Sequence, residues 1–254
     1  EIITNPSAKY EASGTAGILN IILKKEEKKG WNGSVSVNTG TPDNHSIGLS
    51  LNRRTENFNL FAQLGAGYRS LPKDAEAINR NLTNNEVIFS EGTEYRNETF
   101  YNITLGTDYH INDLNVLTLS GNFAYEIEKQ PSKTNFNYFD ANNSLISSWE
   151  RNEITDATNP KYSYELNYKK QFKDHEDHTL LLSVLGRFFG KDLSSHFTNT
   201  TIAGADSDSD QKTATDFIQA DYTYKVDYTN PISDTYTLET GAQYVINDVG
   251  NDYE

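Results

Sequence analysis

The chain contains neither cysteine nor methionine. Without cysteine there can be no disulfide, thiolate metal site or cysteine nucleophile. Without methionine, residue 1 is not expected to be a natural start, so the lack of a signal-peptide pattern there excludes no compartment. Positive charge is scarce: 22 Lys+Arg stand against 36 Asp+Glu, for a formal net charge of −14. That balance argues against a nucleic-acid partner, because phosphate binding draws on clustered positive charge. Long apolar runs are absent as well, which excludes a transmembrane helix. Hydrophobic residues make up only 35% of the chain, a figure that by itself suggests a soluble or even disordered protein. Against disorder stand 16 Tyr, 12 Phe and 2 Trp, residues that disordered segments avoid.

What dominates instead is alternation of apolar and polar residues with a period of two. It recurs over residues 31–37, 47–51, 58–68, 101–111, 117–127, 162–168, 180–188, 218–228 and 236–246. These stretches predict nine strands, and no helical period interrupts them. The connections fall into two kinds that alternate along the chain. Short turn-like links lie at 53–57, 112–113, 173–177 and 230–234, and longer ones at 39–45, 70–97, 128–160 and 199–212. Within 128–160, Asn135–Phe139 and Leu145–Glu150 flank Asp140–Asn143, which predicts a hairpin projecting beyond the sheet. Such a pattern describes an antiparallel meander whose two ends face different surroundings.

Two architectures fit alternation of this kind, a soluble β-sandwich and a transmembrane β-barrel. Three features favour the barrel. Many of the stretches reach the length that a tilted strand needs to cross a bilayer. Aromatic residues recur near strand ends, as at Trp31, Phe58, Tyr68, Tyr109, Phe172, Tyr228 and Tyr236, where interface girdles belong. The second face of each strand carries Asn, Gln, Thr, Asp, Glu and Lys, which suits a wet lumen better than a packed core.

Residues 1–30 do not follow the meander. Asn5-Pro6 reads as a turn, Gly14 and Gly17 permit close backbone approach, and Ile18–Leu23 is a nearly all-apolar strand. A charged run, Lys24–Lys29, then leads into the first alternating stretch. The ordered string Asn5, Pro6, Tyr10, Gly14, Ala16, Gly17, Ile18, Asn20 and Ile22, followed by Lys24-Lys25, resembles the end of the plug domain in TonB-dependent outer-membrane receptors, especially the Bacteroidetes type. The resemblance implies an all-β fold, part of a large antiparallel transmembrane barrel. Residues 1–30 would be the C-terminal end of the plug with its linker, and 31–254 the N-terminal portion of the barrel. It further implies a receptor that takes up a glycan, peptide or metal chelate through loop and plug binding and energised plug movement. The expected partners are outer-membrane lipid, TonB acting through a part of the plug not contained in these residues, and an extracellular ligand, with a surface lipoprotein as a further candidate. Nine strands fall well short of the family's roughly 22, so a portion of a longer receptor is expected. The alternative is a structural, secretion-associated or adhesive barrel that transports nothing.

No residue pattern specifies catalysis, so neither an enzyme nor a cofactor is expected, and no catalytic, metal or substrate-binding residue is assigned. The densest cluster of ligand-type residues is Asp174, His175, Glu176, Asp177 and His178, which also reads as a charged turn. Asp206, Asp208 and Asp210 resemble calcium ligands but lack the glycine and closing glutamate of an EF-hand loop. His45, His110 and His196 are scattered, with no nucleophile–base constellation around them. The sequons at Asn81–Thr83 and Asn199–Thr201 are compositional in a bacterial protein. Phe89, Tyr95, Tyr138, Phe139, Trp149 and Asn152 in the long links could stack on or hydrogen-bond a ligand, or simply pack the projecting hairpin.

Overall fold

The computed structural model describes residues 2–3, 18–19, 29–205, 208–233 and 235–253. Two short strands, β1 (Ile2–Ile3) and β2 (Ile18–Leu19), pair antiparallel, with Ile2 opposite Leu19. The rest of the apolar stretch expected at Ile18–Leu23, and most of the string that resembles a plug, lie outside the described residues.

The remaining strands are β3 (Gly30–Asn38), β4 (Asn44–Arg54), β5 (Phe58–Arg80), β6 (Val87–Asn112), β7 (Asn115–Phe139), β8 (Leu145–Gln171), β9 (Thr179–Gly204), β10 (Ser209–Ser233) and β11 (Tyr236–Tyr253). They form one nine-stranded sheet in strict chain order from β3 to β11, antiparallel throughout. The nine alternating stretches therefore correspond to nine strands, each joined to the next by a hairpin.

Strand length is where the structure departs from expectation. β5–β10 run 23 to 27 residues each. A tilted strand needs only about 9–11 residues to cross a bilayer. Most of the expected long loops at 70–97, 128–160 and 199–212 is instead strand, with β5–β6 and β7–β8 paired up to their closing turns, as in Arg80 opposite Val87 and Phe139 opposite Leu145. Alternation in these extensions involves two polar faces, so it leaves no hydropathy signal. The projecting hairpin is present as expected, and its turn is held by the Asp140 carboxylate, which accepts the N–H groups of Asn142 and Ser144 at 2.8 Å each. Asn143 adopts φ 61° in this turn, a conformation that asparagine tolerates. At the end of β9, Gly204 takes φ 85°, and a Cβ there would lie 2.1 Å from the Ile146 carbonyl oxygen. Only glycine satisfies both conditions.

Cross-strand register aligns the apolar rows into one face. Leu51, Ala62, Leu105, Gly121, Tyr164, Gly186, Tyr222 and Ile246 follow one another across the strands. This face is open: Leu105 is 54% exposed and Tyr244 66%. Among the described residues the only buried apolar side chains are Ala157 and Ala220, whereas Glu98, Glu128, Thr155, Asn159, Ser195, Asp227 and Thr229 are buried on or beside the polar face. A β-sandwich needs the reverse, with apolar residues packed between two sheets. With one nine-stranded sheet whose buried side chains are mostly polar, the described residues do not form a sandwich. Holding so large an apolar face in water would forfeit on the order of tens of kcal/mol, at about 1.5–3 kcal/mol per large side chain; lipid removes that cost.

Candidate functional site

The residues highlighted by sequence are mostly engaged within the wall. His178 is nearly buried, its Nδ1 paired with Asp174 Oδ2 at 2.7 Å and its Nε2 with the Tyr228 hydroxyl at 2.9 Å. Its ring stacks on Phe172 at 4.0 Å. Hydrogen bonding to His178 holds the Asp174 carboxyl below the usual range. His175 turns away to Asp177, so the cluster splits rather than converges. Asp208 accepts the Thr201 backbone N–H, Asp210 pairs with His196, and Asp206 lies outside the described residues. His45 bonds Thr39. His110 Nδ1 is buried without a hydrogen-bond partner. Among the described residues no group of three or more His, Asp or Glu side chains is placed to hold a metal ion. Asn81 caps its turn by accepting the Thr83 N–H, and Asn199 bonds Ser209.

The six residues picked from the long links lie on strands. Tyr138 donates to Glu86, whose carboxylate raises the phenol above its ordinary range. Asn152 donates to Glu150 at 2.9 Å. Trp149 stacks on Phe136 with centroids 5.0 Å apart and planes within 4°. Phe89 and Phe139 lie on paired segments of β6 and β7. Tyr95 and Asn152 border a cleft of about 1020 Å³ together with Asp74, Glu91, Lys133 and Ile154. By alternation and register these residues continue the rows of the apolar face, so this cleft opens on the outer side of the sheet rather than the inner one.

The inner face carries the charged feature that sequence reasoning missed. Just beyond the apolar rows, Glu98 on β6 is fully buried between the guanidinium groups of Arg69 (β5) and Arg96 (β6). Arg96 also reaches Glu128 on β7 at 2.9 Å. Glu128, 1% exposed, accepts from Gln130 at 2.6 Å and from Asn159 on β8. Lys161 completes the chain by pairing with Glu126 at 2.9 Å. Burying a lone carboxylate costs several kcal/mol, so these carboxylates are tolerable only because guanidinium and amide donors surround them. Lower on the same face runs a neutral–acidic counterpart: Asn52 donates to Asn59 at 2.9 Å, Asn59 to Asp108 at 3.1 Å, and Thr118 to Asp108 at 2.8 Å. Such ladders brace a wall whose inner side meets water. The one legible signal was a charge at the upper end of successive polar rows. Which charges meet depends on register, and Arg96, Glu128 and Asn159 sat in segments expected to be loops.

Residues 170–254 match the sequence model of the Outer membrane protein beta-barrel family. No curated protein and no solved structure matches the chain. The matched stretch holds β9–β11, and the rows of those strands continue in register through β3. An apolar outer face, a polar inner face and this match lead to one conclusion: the chain forms antiparallel β-barrel wall and resides in the bacterial outer membrane.

Proposed function

We propose that the chain belongs to a TonB-dependent receptor that takes up a nutrient across the outer membrane. The observation that carries this reading is the paired, buried charge network of Arg69, Arg96, Glu98 and Glu128 on the inner face. It suits a wet lumen lined for a polar cargo or a plug, and the string Asn5–Ile22 that resembles a plug end precedes the wall. Barrels of this kind keep short turns in the periplasm and extend outward, so the extended ends of β5–β10 would face the exterior. β3 and β11 are exposed along their length and have no strand on their outer edges among the described residues. Unpaired N–H and C=O groups are intolerable in hydrocarbon, so both edges would meet further strands in a closed barrel.

A strain deleted for this protein should lose growth on one defined glycan, peptide or metal-chelate source. The same loss should appear when TonB is deleted or the proton gradient is collapsed. Normal growth on every such source would count against uptake. It would favour the adhesive or structural barrel, for which the tall outer extension is the supporting observation.

A further inference from the structure

Arg151 lies on the inner row of β8 in the extension, opposite Thr134 on β7 and Asn199 on β9. Its guanidinium carbon stands 5.4 Å from the Phe136 ring and 5.1 Å from the Phe197 ring. Its Nε donates to Asn199 Oδ1 at 2.9 Å. That bond and the two rings fix the plane of the guanidinium. Among the described residues no carboxylate reaches it within salt-bridge distance, although acidic residues outnumber basic ones by 36 to 22. The contrast is with Arg69 and Arg96 on the same face, both spent on Glu98. Arg151 thus keeps its two terminal nitrogens uncommitted, and these are the donors that receive a carboxylate in bidentate fashion. Around it the inner rows present the Phe136–Trp149 stack, the hydroxyls and amides of Thr134, Ser132, Gln211 and Ser209, and the carboxylate of Glu153, which accepts from the Thr155 hydroxyl at 3.3 Å rather than pairing with Arg151. Hydroxyl and amide groups beside an aromatic surface pair with sugar hydroxyls and C–H faces.

We propose that Arg151, clamped by Phe136 and Phe197 and oriented by Asn199, binds the carboxylate of an acidic saccharide whose ring lies against Trp149. The proposal rests on the uptake reading only in taking that saccharide as cargo; binding itself is independent of transport. Trp149 beside the site supplies a reporter. In the full receptor, purified in detergent, a uronic-acid trisaccharide should shift tryptophan fluorescence, and Trp149→Phe should abolish that shift. A neutral trisaccharide of the same linkage should bind at least tenfold more weakly. Arg151→Gln should weaken acidic-sugar binding at least tenfold, and Arg151→Lys by less. Asn199→Asp keeps the arginine but supplies an internal carboxylate, so it should also weaken binding at least tenfold, and raised salt should weaken the wild type. Unchanged heat-modifiable gel mobility would show that each variant folds. Equal binding of the two sugars, no binding of either, or undiminished binding by folded Arg151→Gln would overturn the proposal. Acidic-sugar binding without energised uptake would instead sink the uptake reading and leave this site standing.

Discussion

The same six strands, β5–β10, cross two environments, and their outer rows change character between them. In the lower part the outer row of β6 reads Tyr101, Ile103, Leu105, with Leu64 and Phe123 flanking Ile103. Beyond it the corresponding outer positions are Asn97, Lys129, Asp156 and Ser194, then Asp74, Thr93, Lys133, Asn152 and Thr198. The inner rows keep polar residues throughout, from Asn59 and Asp108 up to Thr134 and Asn199, and add the aromatic residues Phe136, Trp149 and Phe197 near the top. The strands run on through this boundary in unchanged register, with only short gaps in pairing beside Pro131 and Pro160. The solvent on the outer side is what changes: hydrocarbon in the lower part and water above. Strand continuity is thus set by pairing, and membrane height by outer-row chemistry alone.

The sharpest way to break that comparison is to place one charge on each side of the boundary. Leu105→Arg, in the middle of an apolar outer row, should cost about 2–4 kcal/mol, read as lowered resistance of the folded band to urea in lipid vesicles. Ile154→Arg, also on an outer row and 47% exposed but in the extension, should stay within about 0.5 kcal/mol. Equal costs would mean that the extension also lies in lipid.

Next in size comes the inner network. Glu98→Ala removes the carboxylate between Arg69 and Arg96 and should cost about 1–3 kcal/mol by the same measurement. The penalty stays below that of a fully buried pair because both arginines retain access to water. Lys133→Ala, which breaks an exposed pair with Glu150 in the extension, should cost no more than about 1 kcal/mol.

A turn substitution probes the extension alone. Gly204→Ala forces a Cβ into the Ile146 carbonyl at positive φ, and should cost about 1–3 kcal/mol. The effect should appear as faster amide exchange confined to the upper ends of β8 and β9, with the membrane band unaltered.

The smallest effect is in pH. Hydrogen bonds from Lys133 and Asn152 hold the Glu150 carboxyl below its ordinary 4.5. A lowered folded value means that the ionised form stabilises the hairpin at neutral pH, and that this contribution is lost as pH falls through the folded value. The gap in hairpin stability between wild type and Glu150→Gln should therefore be present above pH 4.5 and close below it. Fluorescence of Trp149, one residue away, would follow it; a gap that widened on acidification would reverse the assignment.

The membrane band was legible because its two faces differ: Leu105 beside Thr104, or Tyr224 beside Lys225, announces both a strand and its orientation. The extensions were not. Thr93, Glu94, Tyr95 and Arg96, or Asn152, Glu153, Ile154 and Thr155, alternate between two faces that both accept polar groups, and read as loop. The projecting hairpin was visible from Asp140–Asn143, where turn chemistry is local. The candidate sites fared differently: the ligand-type cluster at 174–178 was conspicuous in sequence but is divided in space, whereas Arg96, Glu98 and Glu128 drew no notice.

Sequence alone determined that this chain is all-strand, where its band strands lie, and which face of each is apolar, because period-two alternation encodes all three within a dozen residues. Only the tertiary structure decided how far the strands extend and which charges meet. Arg69, Glu98, Glu128 and Asn159 come from four strands up to 90 residues apart, and a one-residue slip in any hairpin would send its member of the set to the opposite face. Register is a property of the paired sheet, so the inner network and the free guanidinium of Arg151 exist only once the strands have met.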